Sequence, residues 1–103
     1  MKGFTLIELI IVIVIIGILA AIAIPNYLDL ADAANMANIQ ANTDAVRAAV
    51  SMYYAKTALT GTPAFPAAIV GTMFADGVAP ANTSGDYTWA YDPLTGIVSN
   101  DIP

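Results

Sequence analysis

From Phe4 to Ile24 every position is apolar except Thr5, Glu8 and Gly17. A helix over these 21 residues has no polar face, so it is not the surface helix of a globular domain. At about 1.5 Å per residue it spans roughly 30 Å, the thickness of a bilayer's hydrocarbon core. Ile10 to Ile16 are seven consecutive β-branched residues. Strands usually run about four to eight residues, and the apolar stretch is far longer. Backbone groups in lipid must be bonded within the segment, which selects a helix.

After Pro25 the pattern changes. Leu28, Ala31, Asn35, Ile39, Asn42, Val46, Ala49 and Tyr53 recur at spacings of three and four, the mark of an amphipathic helix. Asn35 and Asn42 interrupt this stripe. Asp29, Asp32, Gln40, Asp44 and Arg47 fall on the other side. The pattern predicts one long helix over residues 4–56, its first part (4–24) in lipid and its second part supporting a small domain. Pro25 removes a backbone donor and disfavours helix at Ile24, so a kink is expected there. Gly17 is a second weak point, costing about 1 kcal/mol against Ala.

The run from Leu59 through Thr60, Gly61 and Thr62 to Pro63 ends the helix. Residues 57–85 are rich in Ala, Thr, Gly and Pro, with a short helix or turn expected over Ala67 to Phe74. Tyr87, Trp89 and Tyr91 alternate with Thr88 and Ala90, the period of a strand. Asp92 to Gly96 supplies turn chemistry, and Ile97 to Ser99 returns antiparallel. The three aromatics are expected to pack on the helix. The fold class is therefore α+β: one long N-terminal helix, hydrophobic then amphipathic, packed on a very small C-terminal β-hairpin region at 57–103.

Composition narrows the chemistry. The chain has 103 residues, no Cys and no His, which removes the usual nucleophile–base sets and His/Cys metal sites. Three basic residues face eight acids. Such a balance makes a poor bulk ligand for nucleic acid or anionic lipid, and no direct nucleic-acid partner is predicted. Asp86, Asp92 and Asp101 match no calcium-loop spacing and read as solvated turn residues. No metal, cofactor or enzymatic activity is expected. Asn82-Thr83-Ser84 matches the N-glycosylation sequon, a weak signal.

Glu8 is the anomaly, the only glutamate and the only acid in the apolar run. An ionised residue at the centre of a bilayer helix costs about 2.5–3.5 kcal/mol on insertion scales, less near an end. Either Glu8 reaches the headgroups or it awaits a positive partner.

Met-Lys-Gly-Phe-Thr-Leu-Ile-Glu-Leu at positions 1–9, the apolar run, and Ala-Ile-Pro-Asn at 23–26 resemble the class III leader and N-terminal helix of type IV pilins. The resemblance covers residues 1 to about 56. It implies a leader, residues 1–3, that is cut by a prepilin peptidase between Gly3 and Phe4. It implies N-methylation of the new Phe4 amine, and a salt bridge from Glu8 to the Phe4 amine of a neighbouring subunit. It also implies that the stretch from Gly17 to Pro25 melts in the filament. On that reading the chain is a major pilin, held in the inner membrane as a precursor. Inner-membrane machinery then assembles it into an extracellular homopolymer serving adhesion, motility or DNA uptake.

Two other readings share the same helix: a pseudopilin or minor pilin of a type II secretion or competence system, and a membrane-anchored binding module. Ala21-Ile22-Ala23 also resembles an ordinary secretory cleavage site, but Glu8 and the length of the run fit that poorly.

Overall fold

The computed structural model describes residues 3–103; Met1 and Lys2 lie outside them. The chain forms two compact units, Met1–Ala33 and Ala34–Pro103. Helix α1 runs over Leu6–Leu59, two residues later at its start and three later at its end than the sequence pattern places it. Pro25 lies inside α1. It leaves the carbonyl of Ala21 without its helical donor, yet helix continues on both sides.

In the first unit the large side chains from Phe4 to Leu30 are all exposed within the chain. By length and composition α1 can cross a membrane. At about 1.5–3 kcal/mol per large apolar side chain, leaving this surface in water would cost tens of kcal/mol. Lipid or other chains around this surface would remove that cost.

In the second unit α1 buries Ile39, Thr43, Val46, Ala49 and Val50. Three of these, Ile39, Val46 and Ala49, belong to the stripe read from the sequence. Leu28 and Tyr53 of that stripe are exposed. The helix ends in paired bonds: Gly61 N–H donates to Ala58 O at 3.1 Å and Thr62 N–H to Thr57 O at 3.3 Å, with Gly61 at φ +90°. This is the Schellman arrangement, which satisfies the last carbonyls and uses a left-handed glycine. Ala64 N–H then donates to Thr57 Oγ1 at 3.0 Å, turning the chain back.

The connecting segment contains one short 3-10 turn, Gly71–Met73, within the stretch where a helix or turn is expected. Three antiparallel strands follow, β1 (Thr83–Ser84), β2 (Tyr87–Tyr91) and β3 (Val98–Asn100), in the order β1-β2-β3. The β2–β3 hairpin is the one read from the sequence, with Trp89 opposite Asn100 and Tyr91 opposite Val98. β1 is an addition to it. The two-residue loop Gly85–Asp86 joins β1 to β2, with Gly85 at φ +59°, which suits a glycine at the first position of a tight hairpin loop.

The core is small. Val46, Val50 and Val98 are buried together, with Ile69, Phe74, Trp89 and Tyr91 packed against them. Two of the three alternating aromatics thus pack on the helix through the core, as the period predicts. Each also secures its polar tip: Trp89 Nε1–H donates to Ala81 O at 2.8 Å and Tyr91 O–H to Pro66 O at 2.6 Å.

The polar residues of α1 differ from expectation. Periodicity puts Gln40, Asp44 and Arg47 on the solvent side, but they carry the helix–sheet seam. Arg47 donates to Val98 O and pairs with Asp44 at 3.3 Å. Gln40 donates to Asp44, and Asn100 Nδ2–H donates toward Gln40 and Thr43. Asn35 and Asn42 also engage the C-terminal region: Ser84 donates to Asn35, and Asn42 donates to Ala81 O. Among the described residues no buried side-chain nitrogen or oxygen lacks a partner.

Candidate functional site

The residues singled out by the sequence lie at the head of α1. Gly3, Phe4 and Thr5 carry no regular secondary structure and are exposed, and helix begins at Leu6. Phe4 is 89% exposed, so the Gly3–Phe4 bond lies on an open strand of chain ahead of the helix.

Glu8 is not isolated within its own chain. Thr5 N–H donates to Glu8 Oε2 at 2.8 Å, and Glu8 N–H donates to Thr5 Oγ1 at 3.2 Å. This reciprocal pair is a capping box, with Thr5 at the N-cap and Glu8 three residues on. It satisfies two of the donors that a helix start leaves open. The carboxylate also sits at the positive end of the helix dipole. The Thr-x-x-Glu spacing carries this signal in the sequence, and reading Glu8 only as an acid out of place in lipid passes over it.

Of the other candidates, Gly17 and Pro25 lie within continuous α1. A Cβ on Gly17 would meet nothing within 4 Å, so no packing inside the chain demands a glycine there. Asn82 is exposed just ahead of β1, and its carbonyl accepts Trp89 N–H at 3.1 Å. Asp92 and Asp101 serve their own neighbourhoods: Asp92 Oδ1 accepts Leu94 N–H, and Asp101 Oδ1 accepts Thr88 N–H. Among the described residues no group of three or more His, Cys, Asp or Glu could hold a metal ion. Burial, then the nearby Asp92 and Tyr53, push the Tyr91 hydroxyl above its usual value.

Comparison with known proteins matches the same end of the chain. Residues 1–24 match the family model for the prokaryotic N-terminal methylation motif. A type IV narrow pilus major component, PilA5 of Thermus thermophilus, is 65% identical over 51 residues, covering 50% of this chain and 44% of that protein. Fimbrial protein EcpC of Eikenella corrodens is 51% identical over 53 residues, covering 52% and 35%. A type IV major pilin, PilE1 of Neisseria gonorrhoeae, is 49% identical over 53 residues, covering 52% and 32%. The matches thus span less than half the length of these relatives. No solved structure matches. These relatives are named as pilins or fimbrial proteins rather than enzymes. With its methylation motif, its apolar first helix and this likeness over about half its length, the chain is similar to the type IV pilins.

Proposed function

We propose that this chain is a structural subunit, a major pilin, of a type IV pilus filament. The observation that carries the reading is an apolar helix surface, uncovered within the chain, that holds a single carboxylate at Glu8. Lipid covers that surface in the precursor, and identical subunits cover it in the filament. A prepilin peptidase cuts between Gly3 and Phe4. Phe4, with its new amine, is then N-methylated. Cleavage places a cation four residues before Glu8, and Glu8 pairs with the Phe4 amine of a neighbouring subunit. A buried amine or a buried carboxylate alone costs several kcal/mol, so pairing them sets the axial register between subunits. Inner-membrane machinery moves the helix from bilayer to filament without a free aqueous stage.

In the same reading α1 loosens between Gly17 and Pro25 during assembly, where one helical bond is already missing and a glycine weakens the next turn. The domains are then the leader 1–3, the long helix 4–56 and the surface region 57–103. Asn82, exposed in the latter, is the candidate glycan acceptor.

The test is the N-terminal peptide mass of this chain in sheared surface filaments. A start at methylated Phe4 is expected. A start near Ile24 would mean an ordinary secretory signal and end the filament reading.

A further inference from the structure

The capping box reaches beyond starting a helix. Between Leu6 and Ile24, Glu8 and Gly17 are the only residues that are not apolar, so Glu8 has no other polar side chain along its own segment to turn to. Its Oε2 is held by Thr5 N–H at 2.8 Å. The carboxylate is thereby folded back toward Phe4, and Oε1 has no hydrogen bond among the described residues. We propose that Thr5 is a positioning residue for Glu8: the box fixes one carboxylate oxygen on its own helix and presents the other to the ammonium group of a second copy of this chain. This rests on the subunit reading above and names what orients its key group.

The physical case has two parts. First, a carboxylate with one oxygen already bonded to a backbone donor is less costly to keep in an apolar setting than a bare one. The box therefore lets Glu8 wait in the bilayer before assembly. Second, a carboxylate free to rotate must be ordered at the moment of docking, whereas this one is already ordered. The hydroxyl of Thr5 supports the arrangement by accepting Glu8 N–H at 3.2 Å, which pins the turn carrying the carboxylate. Serine can do the same, but valine, of nearly equal shape, cannot.

The experiment compares Thr5→Val, Thr5→Ser, Glu8→Gln and Glu8→Val in the full chain. Filament yield is measured against the processed membrane pool, with mass spectrometry of the N-terminal peptide in both. Removal of such a cap weakens the arrangement by a factor of about 3 to 30. Thr5→Val is expected to be cut at Phe4 as usual yet to lose filament yield on that scale, and Thr5→Ser to stay within about twofold of wild type, since serine caps as well as threonine. Hydrogen exchange of the full chain in detergent micelles gives a second readout, independent of processing. The position 5 amide is expected to lose protection in Thr5→Val as it does in Glu8→Val.

If Thr5→Val assembles like wild type while Glu8→Val does not, the positioning role is overturned and the subunit reading stands. If the position 5 amide stays protected in Thr5→Val, Thr5 is only a helix start and the proposal fails. If both Glu8 variants assemble normally, the Glu8 pairing itself fails, and Thr5 has nothing to position.

Discussion

Arg47 on α1 aims two donors at a single acceptor on β3: its Nε–H and Nη2–H both point to the carbonyl of Val98, at 3.1 and 3.0 Å. Val98 is at the same time one of three buried valines at the core. The hydrogen bond and the apolar contact therefore register the hairpin on the helix at one residue. Replacing Arg47 by Met keeps most of the stem and removes both donors. Bonds from charged donors contribute about 1.5–3 kcal/mol, but Arg47 is half exposed and solvent screening reduces this. A loss of about 1–2 kcal/mol is expected, read from thermal unfolding followed by emission of Trp89, the only tryptophan. Asp44→Ala breaks the exposed pair with Arg47 and the exposed bonds from Gln40, and is expected to cost less than about 1 kcal/mol.

Gly96 closes the β2–β3 turn at φ +71°, and an added Cβ would collide with the ring of Phe65. That ring lies against Tyr54 with centroids 4.9 Å apart, so it has a neighbour behind it. Gly96→Ala combines an unfavourable backbone region with a clash and is expected to destabilise the second unit by about 1–3 kcal/mol. Differential scanning calorimetry of wild type and variant checks it; an unchanged midpoint would contradict the packing described.

The C-terminus is held without a disulfide. Asp101 Oδ1 accepts Thr88 N–H at 2.7 Å, and Asp101 N–H returns a bond to Thr88 O at 3.3 Å. Asp101→Ala is expected to cost about 1 kcal/mol and to speed hydrogen exchange at the Thr88 amide, with Trp89 emission little changed before unfolding.

Tyr91 sets an alkaline limit. Its hydroxyl is pushed above the usual phenol value, first by burial and then by Asp92 and Tyr53. A group whose folded value is raised gives stability that is full below its unfolded value, about 10 for a phenol, and that declines as pH rises through the folded one. Ionisation also ends its donation to Pro66 O. Stability measured by denaturant is therefore expected to fall above about pH 10, and Tyr91→Phe is expected to flatten that decline while lowering stability at neutral pH.

A three-valine core with a few larger residues around it supports only a marginal domain. A fragment of residues 25–103 is expected to unfold at modest temperature as a monomer, and high heat stability in circular dichroism would count against that.

How far the sequence foretells this depends on how local each feature is. The apolar run from Phe4 to Ile24 and the alternation of Tyr87, Trp89 and Tyr91 are periodic, so helix and strand follow from them. The stop at Gly61 is a matter of local turn chemistry. β1 is hidden because Thr83 and Ser84 are two polar residues in a polar stretch. Their pairing depends on the Gly85 turn and on Asn35, some fifty positions away. Arg47 and Gln40 look like solvent-facing residues on a helical wheel because periodicity says nothing about a carbonyl that another strand brings alongside. The head of α1 was legible in a different way. Phe4 and Glu8 stand out by composition, whereas Thr5 emerges only when its spacing to Glu8 is read as a cap.

The short strands carry a consequence for crowding. β1 and β3 form the sheet's two edges, and they are two and three residues long, while the five-residue strand lies between them. Long open edges invite further chains to zip on through their backbones, which is the route to amyloid-like growth. In the filament proposed above, subunits would sit side by side, where such pairing would be a hazard. These edges give an intruding strand almost nothing to template on, so the C-terminal regions can crowd together without fusing into a continuous sheet.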